Sequence, residues 1–261
     1  MNSYKRNQKI ELKELENLYL NKRISTMNLS KRYGCSQWMI WNLLKKYNIK
    51  ARTSYDYHAW RAPANQINPR LEYSPALSYV LGVVLGDGWV YSNKHAYFIG
   101  LEAQDRKFCE SFKAALLKIG LKPSTFKADK YWRTTCSSKL FYNWFNSLTS
   151  QQIKLIAKEY PVDFIRGFYE SEGCFSRYKS KGYFYTHLSI IISNTDETLI
   201  RLAKDILEDL NFHPTLNLQR TQKANWKPCW KLVLGQNKEV TRFLELINPC
   251  IKTGENRSRK L

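Results

Sequence analysis

Two carboxylates, Asp87 and Glu172, stand where a sequence built for stability alone would not put them. Each closes an apolar segment, SPALSYVLGVVLGDG from Ser74 to Gly88 and PVDFIRGFYESEG from Pro161 to Gly173, and each is followed directly by glycine. Pro near the first turn, with Ser74 as the N-cap of the first segment, opens each as a helix. Gly88 and Gly173 are expected to end these helices as left-handed caps. A carboxylate at a helix C-terminus opposes the macrodipole by about 0.3–1 kcal/mol, and here this happens twice. Gly82 and Gly86, like Gly167 and Ser171, stand four apart, so each helix carries a nearly bare stripe along which another backbone can approach. If the stripes pack face to face, Asp87 and Glu172 emerge side by side. Two close carboxylates repel unless a proton or a cation lies between them. A divalent metal is the obvious cation, since Mg²⁺ is bound by one or two carboxylates together with water and phosphate oxygens.

Those two segments carry a family resemblance. VLGVVLGDG (Val80 to Gly88) and IRGFYESEG (Ile165 to Gly173) resemble the paired motif of the LAGLIDADG homing endonucleases, with Asp87 and Glu172 at its last acidic position. The motif's earlier acid is Leu85 in the first copy and Glu170 in the second, a position read as variable. One glycine-spaced apolar helix is commonly just a packed core helix. Two copies that both end in acid-Gly are what carry the resemblance.

The elements around the motifs repeat with them. After Gly88 come two strands, an amphipathic helix from about Asp105 to Ile119, two further strands, and a helix from about Lys139 to Leu148. After Gly173 the same order recurs, with helices from about Asp196 to Leu210 and from Lys238 to Ile247. Pro123 with Pro214 and Trp132 with Trp230 fix the alignment of the copies. The expected fold is α+β, a duplicated αββαββα unit whose halves span 74–155 and 156–261. The resemblance implies two halves meeting at the motif helices, each with a curved antiparallel sheet that forms one side of a saddle over duplex DNA.

Composition agrees with such a partner. Lys and Arg total 42 against 22 acids, a formal net charge of +20 in 261 residues, which a polyanion usually offsets. No apolar run reaches the length of a membrane span, and the N-terminus lacks the apolar region of a secretory signal, so a soluble intracellular protein without a membrane partner is expected. Six scattered cysteines without a CxxC pair read as reduced thiols, and four histidines show no metal-ligand spacing, which leaves any metal chemistry to carboxylates.

Residues 1–50 read as a small all-α unit that resembles a helix-turn-helix. Ser25 opens one helix, Gly34-Cys35 makes a turn, and Ser36 caps a last helix ending near Tyr47. With Ile40, Leu43 or Leu44, and Tyr47 facing inward, Gln37, Trp38, Trp41, Asn42 and Lys45 are left for solvent or a DNA groove. Residues 51–73 read as a basic linker.

The resemblance implies a Mg²⁺-dependent, site-specific double-strand DNA endonuclease acting as a monomer, with Mn²⁺ as a substitute metal. Asp87 and Glu172 are then the metal ligands and catalytic acids, with Gly86 and Ser171 also placed at the metal. A polar ring that orders the water is implied at Gln104, Asn194, Arg133 and Lys231, with Glu102 as a substitute for Gln104. DNA contacts on the sheets are expected from Tyr91, Lys94, Arg177, Lys179, Lys181, Arg220 and Lys227, and from Gln37, Trp38, Asn42 and Lys45 in the N-terminal unit. Two other readings stand beside this one: an RNA-binding splicing maturase on the same scaffold, and a transcription regulator led by the N-terminal unit, without catalysis.

Overall fold

The computed structural model describes residues 10–52, 68–93, 96–179, 186–219 and 227–254. It divides into two compact units, Met1–Gln66 and Ile67–Leu261. Most of the expected basic linker, and the expected DNA contacts Lys94, Lys181 and Arg220, lie outside the described residues. Among the described residues no helix is long and apolar enough to cross a membrane.

In the N-terminal unit α1 (Leu12–Glu16) runs into a π-helical turn, Asn17–Asn21, and is followed by α2 (Thr26–Tyr33) and α3 (Gln37–Lys46). Local chemistry sets the boundaries. The Ser25 and Ser36 hydroxyls accept from the backbone N–H groups of Asn28 and Met39 at 3.1 and 3.2 Å, and Gly34 takes the left-handed conformation at φ 61° that ends α2. Leu15, Leu18, Tyr19, Leu29, Ile40, Leu44 and Ile49 form the core. Tyr47 does not join it. Helix α3 stops at Lys46, Tyr47 is 42% exposed, and Ile49 takes the inward place after the chain turns.

The second unit contains the repeat. Its first copy is α4 (Pro75–Leu85), β1 (Gly88–Ser92), β2 (Tyr97–Ala103), α5 (Arg106–Lys118), β3 (Ser124–Ala128), β4 (Tyr131–Ser137) and α6 (Lys139–Ser147). Its second is α8 (Pro161–Glu172), β5 (Gly173–Tyr178), β6 (His187–Asn194), α9 (Glu197–Asp209), β7 (Thr215–Gln219), β8 (Cys229–Leu234) and α10 (Asn237–Ile247). Between them lies α7 (Ser150–Glu159), which the repeat did not foretell; a Thr149/Gln152 capping box starts it. The described strands form two four-stranded antiparallel sheets with matching orders, β1-β2-β4-β3 and β5-β6-β8-β7. One face of each sheet packs on helices, through Ile99, Leu101 and Cys136 in the first copy and Ile190, Ile192, Leu232 and Leu234 in the second. By strand alternation Trp89, Tyr91, Phe98, Glu102 and Arg133 fall on the opposite face of the first sheet.

Helices α4 and α8 meet backbone to backbone. A Cβ on Gly82 would land on the Phe164 carbonyl oxygen and 2.9 Å from the Phe168 nitrogen. One on Gly167 would land on the Tyr79 carbonyl oxygen and 3.0 Å from the Val83 nitrogen. The cores interlock around this contact: Leu81 of α4 is buried in the second copy's core, while Ile251, beyond α10, is buried in the first copy's.

Gly88 and Gly173 are not the left-handed caps expected. Gly86 closes α4, and both later glycines begin strands, Gly173 at φ −84° and ψ 163°. Their requirement is space. A Cβ on Gly88 would sit 2.8 Å from Val84 Cα, and one on Gly173 would strike the Tyr169 ring and carbonyl.

Replacing Gly82 with alanine is therefore expected to destabilise the second unit by about 1–3 kcal/mol, even after the about 1 kcal/mol that alanine gains over glycine inside a helix. Gly235, around which a Cβ meets nothing within 4 Å, is the control and should change by less than about 0.5 kcal/mol. Urea unfolding of Gly82→Ala and Gly235→Ala reads both, and equal midpoints would contradict the close helix contact.

Candidate active site

The two acids leave the helix pair at one end. Glu172 is the last residue of α8, and Asp87 follows α4 by two residues. A Cβ on Gly86, the residue before Asp87, would come 3.0 Å from Ser171 Oγ and 3.2 Å from Glu172 Cγ, so the missing side chain is what lets the two ends close together. Ser171 turns its hydroxyl inward, donating to the Gly167 carbonyl at 3.1 Å. Glu172's carboxyl is pushed up to about 7, first by burial and then by the negative charge of Asp87, with the Lys252 ammonium pulling the other way. Burial also raises Asp87's pKa, again opposed by Lys252.

Lys252 has no counterpart in the motif pattern. It lies beyond α10 in a strap, Asn248 to Gly254, whose backbone turns back at positive φ at Asn248 (46°), Lys252 (61°) and Gly254 (82°). For a non-glycine residue the left-handed region costs about 1 kcal/mol or more, and it persists only where neighbours over-determine it. Here they do. The Lys252 ammonium donates to the Ser171 and Tyr169 carbonyls at 2.7 and 3.4 Å, satisfying the C-terminal end of α8, while its own carbonyl accepts from the Tyr169 hydroxyl at 2.8 Å. Burial lowers the lysine's pKa, and the charges of Asp87, Cys174, Glu172 and Glu170 resist that. An ammonium has three protons, and the two carbonyls use two of them.

Glu170, the motif's variable acid, anchors the same strap. It is 1% exposed, and its two oxygens accept from the Tyr79 hydroxyl of α4 and from the Cys250 backbone N–H at 2.6 Å. A carboxylate thereby ties both motif helices to the C-terminal segment.

The polar ring is rearranged relative to expectation. One step beyond the Gly88–Leu101 pair, the register puts Asp87 level with Glu102, which pairs with Arg133. In the second copy the matching row is Glu172, Ser193 and Lys231. Arg133 and Lys231 thus occupy equivalent places, but Gln104 and Asn194 do not. Gln104 lies exposed beyond the end of β2, and Asn194 shares the parity of Ile190 and Ile192 and accepts from the Asp196 N–H at 2.8 Å, shaping the turn into α9. Arg133 is not free, because its guanidinium binds Glu102 through Nε at 2.6 Å and also through Nη2.

Of the expected DNA contacts, Tyr91 is exposed on the open sheet face and stacks on Phe98 at 5.1 Å between ring centroids. Arg177 is exposed but has the parity of Phe175, on the helix side, and Lys179 and Lys227 are exposed beside strand ends. In the N-terminal unit Trp38 is 73% exposed, and Asn42 and Lys45 are exposed, whereas Gln37 donates to the Thr26 hydroxyl at 2.8 Å and so braces α3 against α2.

Among the described residues no three His, Cys, Asp or Glu side chains gather as a metal site. What the centre offers is two carboxylates whose mutual repulsion is already felt, an oxygen-only donor set that suits a hard cation such as Mg²⁺ completed by phosphate and water. The Ser171 carbonyl accepts one bond from Lys252.

Glu172's folded pKa of about 7 lies above the ordinary glutamate value of 4.5. Between those values the folded chain binds more protons than the unfolded one, so this group makes the metal-free protein less stable as pH rises from about 5 to about 8. The shift corresponds to at most about 3 kcal/mol, reduced by solvent access to about 1–2 kcal/mol. Urea unfolding at the two pH values should show that loss, and Glu172→Gln should remove most of it; a variant that keeps the full loss contradicts the placement of this carboxyl.

Residues 159–248, which include α8 and the second sheet, match the family model of a LAGLIDADG-like domain. Two relatives from Methanocaldococcus jannaschii are uncharacterized proteins: MJ0398 is 28% identical over 208 residues, 73% of each chain, and MJ0314 is 30% identical over 191 residues, 69% of this chain and 70% of its own. Among solved structures, mesophilic variants of the homing endonuclease I-DmoI align at a TM-score of 0.49 and 19% identity over 66% of this chain and 94% of theirs. The N-terminal LAGLIDADG domain of DUF199/WhiA aligns at 0.46 and 16% over 81% of this chain and 96% of its own. With its paired acid-ended helices and its two matching sheets, the chain belongs to the LAGLIDADG family.

Proposed function

We propose that this chain is a site-specific endonuclease that cuts both strands of duplex DNA with a divalent metal, Mg²⁺ or Mn²⁺, and that it acts as a single chain because the duplication supplies the two-fold. The observation that carries this reading is the pair of carboxylates forced together by glycine-faced helices, with Glu172's ionisation resisted by Asp87. Such a pair lowers its energy by sharing a cation, and a net charge of +20 draws in the phosphates that complete the coordination.

Asp87 and Glu172 hold the metal. When bound it supplies Lewis acidity at the phosphate and lowers the pKa of coordinated water. In each strand a water oxygen forms the new bond to phosphorus as the bond to the 3′ oxygen breaks, and the leaving oxygen takes a proton. Lys252, whose charge acts on both acids, and Lys231, which has no ion pair among the described residues, offer two cations to phosphate oxygens. Trp89, Tyr91 and Phe98 give the first sheet an aromatic surface toward the duplex. The N-terminal unit adds a separate DNA-binding face, since residues 17–55 contain no acid while Trp38, Asn42 and Lys45 are exposed on α3.

Incubating a randomised duplex library with the chain and Mg²⁺, then sequencing the cut ends, tests the proposal. One long site cut on both strands is expected. Asp87→Asn and Glu172→Gln should each lower cutting by about 10²-fold or more while binding without divalent ions persists. Tight duplex binding with no metal-dependent cutting by the wild type would favour a binding protein, and preferential capture of folded RNA would favour the maturase.

A further inference from the structure

The two halves are not electrically equivalent where they should be most alike. In the row beside Asp87, Arg133 is engaged by Glu102 through both Nε and Nη2. In the row beside Glu172 the residue in Glu102's place is Ser193, and Lys231 lies between Ser193 and Asn217 with no acid across from it. The Glu172 side therefore presents an ammonium with no acid across from it, and the Asp87 side a guanidinium already bound to a carboxylate.

We propose that Glu102 slows the cut on its own side by holding Arg133 away from the phosphate there. The inference rests on the endonuclease reading. In both strands the reaction is the same hydrolysis, in which water adds to phosphorus and the 3′ oxygen departs with a proton. The difference lies in how much fixed positive charge faces the phosphate oxygens as negative charge builds on them. Glu102 is a positioning residue that acts through Arg133. Freed from it, the guanidinium can bind a phosphate as a planar fork.

The test uses the full chain and a duplex selected for binding from a randomised pool, with a different label on each strand. The wild type should cut one strand about tenfold faster than the other and accumulate a nicked intermediate. Glu102→Gln should bring the two rates within about threefold, Glu102→Asp should keep the wild-type ratio, and Lys231→Met should slow the faster strand. Without divalent ions, where only binding is read, Glu102→Gln should steepen the slope of log Kobs against log salt by about one unit as Arg133 gains a phosphate, and Glu102→Asp should not. Equal strand rates in the wild type, or a Glu102→Gln variant with unchanged ratio and slope, would overturn the inference. If the wild type cuts neither strand, the endonuclease reading and the slowing by Glu102 both fail, and an unchanged salt slope then removes the masking of Arg133 as well.

Discussion

Everything distinctive in this protein depends on two helix backbones touching. At Gly82 and Gly167 there is no room for one extra carbon, because carbonyl oxygens and amide nitrogens of the opposite helix already occupy the space. That approach fixes the separation of the helix ends, and Gly86 against Ser171 and Glu172 carries it to the last turn. Two carboxylates are thereby placed where burial raises the pKa of both and the charge of Asp87 resists the ionisation of Glu172, at helix ends that themselves disfavour negative charge. The fold stores this unfavourable electrostatics at one point and offsets it through packing: Leu81 and Ile251 cross into opposite cores, and Glu170 bonds α4, α8 and the strap together. A site kept in an uncomfortable charge state is one that a cation can complete.

The chain also supplies part of that charge itself. Lys252 is drawn to the end of α8 by carbonyls that have no partner within the helix, and its backbone accepts a left-handed conformation to reach them. Its ammonium lowers the pKa values of both acids while their charges hold up its own. This strap and the Glu102–Arg133 pair break a symmetry that the sheets otherwise keep strand for strand.

What could be read from the sequence was what is decided locally or repeated. Ser25, Ser36 and Ser74 cap helices through bonds reaching three residues, and the glycine stripe with its terminal acid appears twice. The repeat showed the succession of strands and helices along each half. What stayed hidden was decided by distant partners or by register. Lys252 meets α8 across some eighty residues of chain, so no spacing rule points to it. Gln104 and Asn194 were placed by a loose alignment: Gln104 lies two residues past Glu102, beyond the end of β2, and Asn194 lies one past Ser193, where a shift of one residue reverses the face. Gly88 and Gly173 were read as turn formers when their constraint is the close passage of Val84 and Tyr169. Pattern showed that glycine was needed at these points, but not why.

The central claim is that Asp87 and Glu172 form one cation site. Anomalous diffraction from crystals of the chain grown with Mn²⁺ and a bound duplex tests it most directly. A peak within bonding distance of carboxylate oxygens from both residues is the predicted result. Peaks that involve only one of the two acids, or neither, would contradict the account.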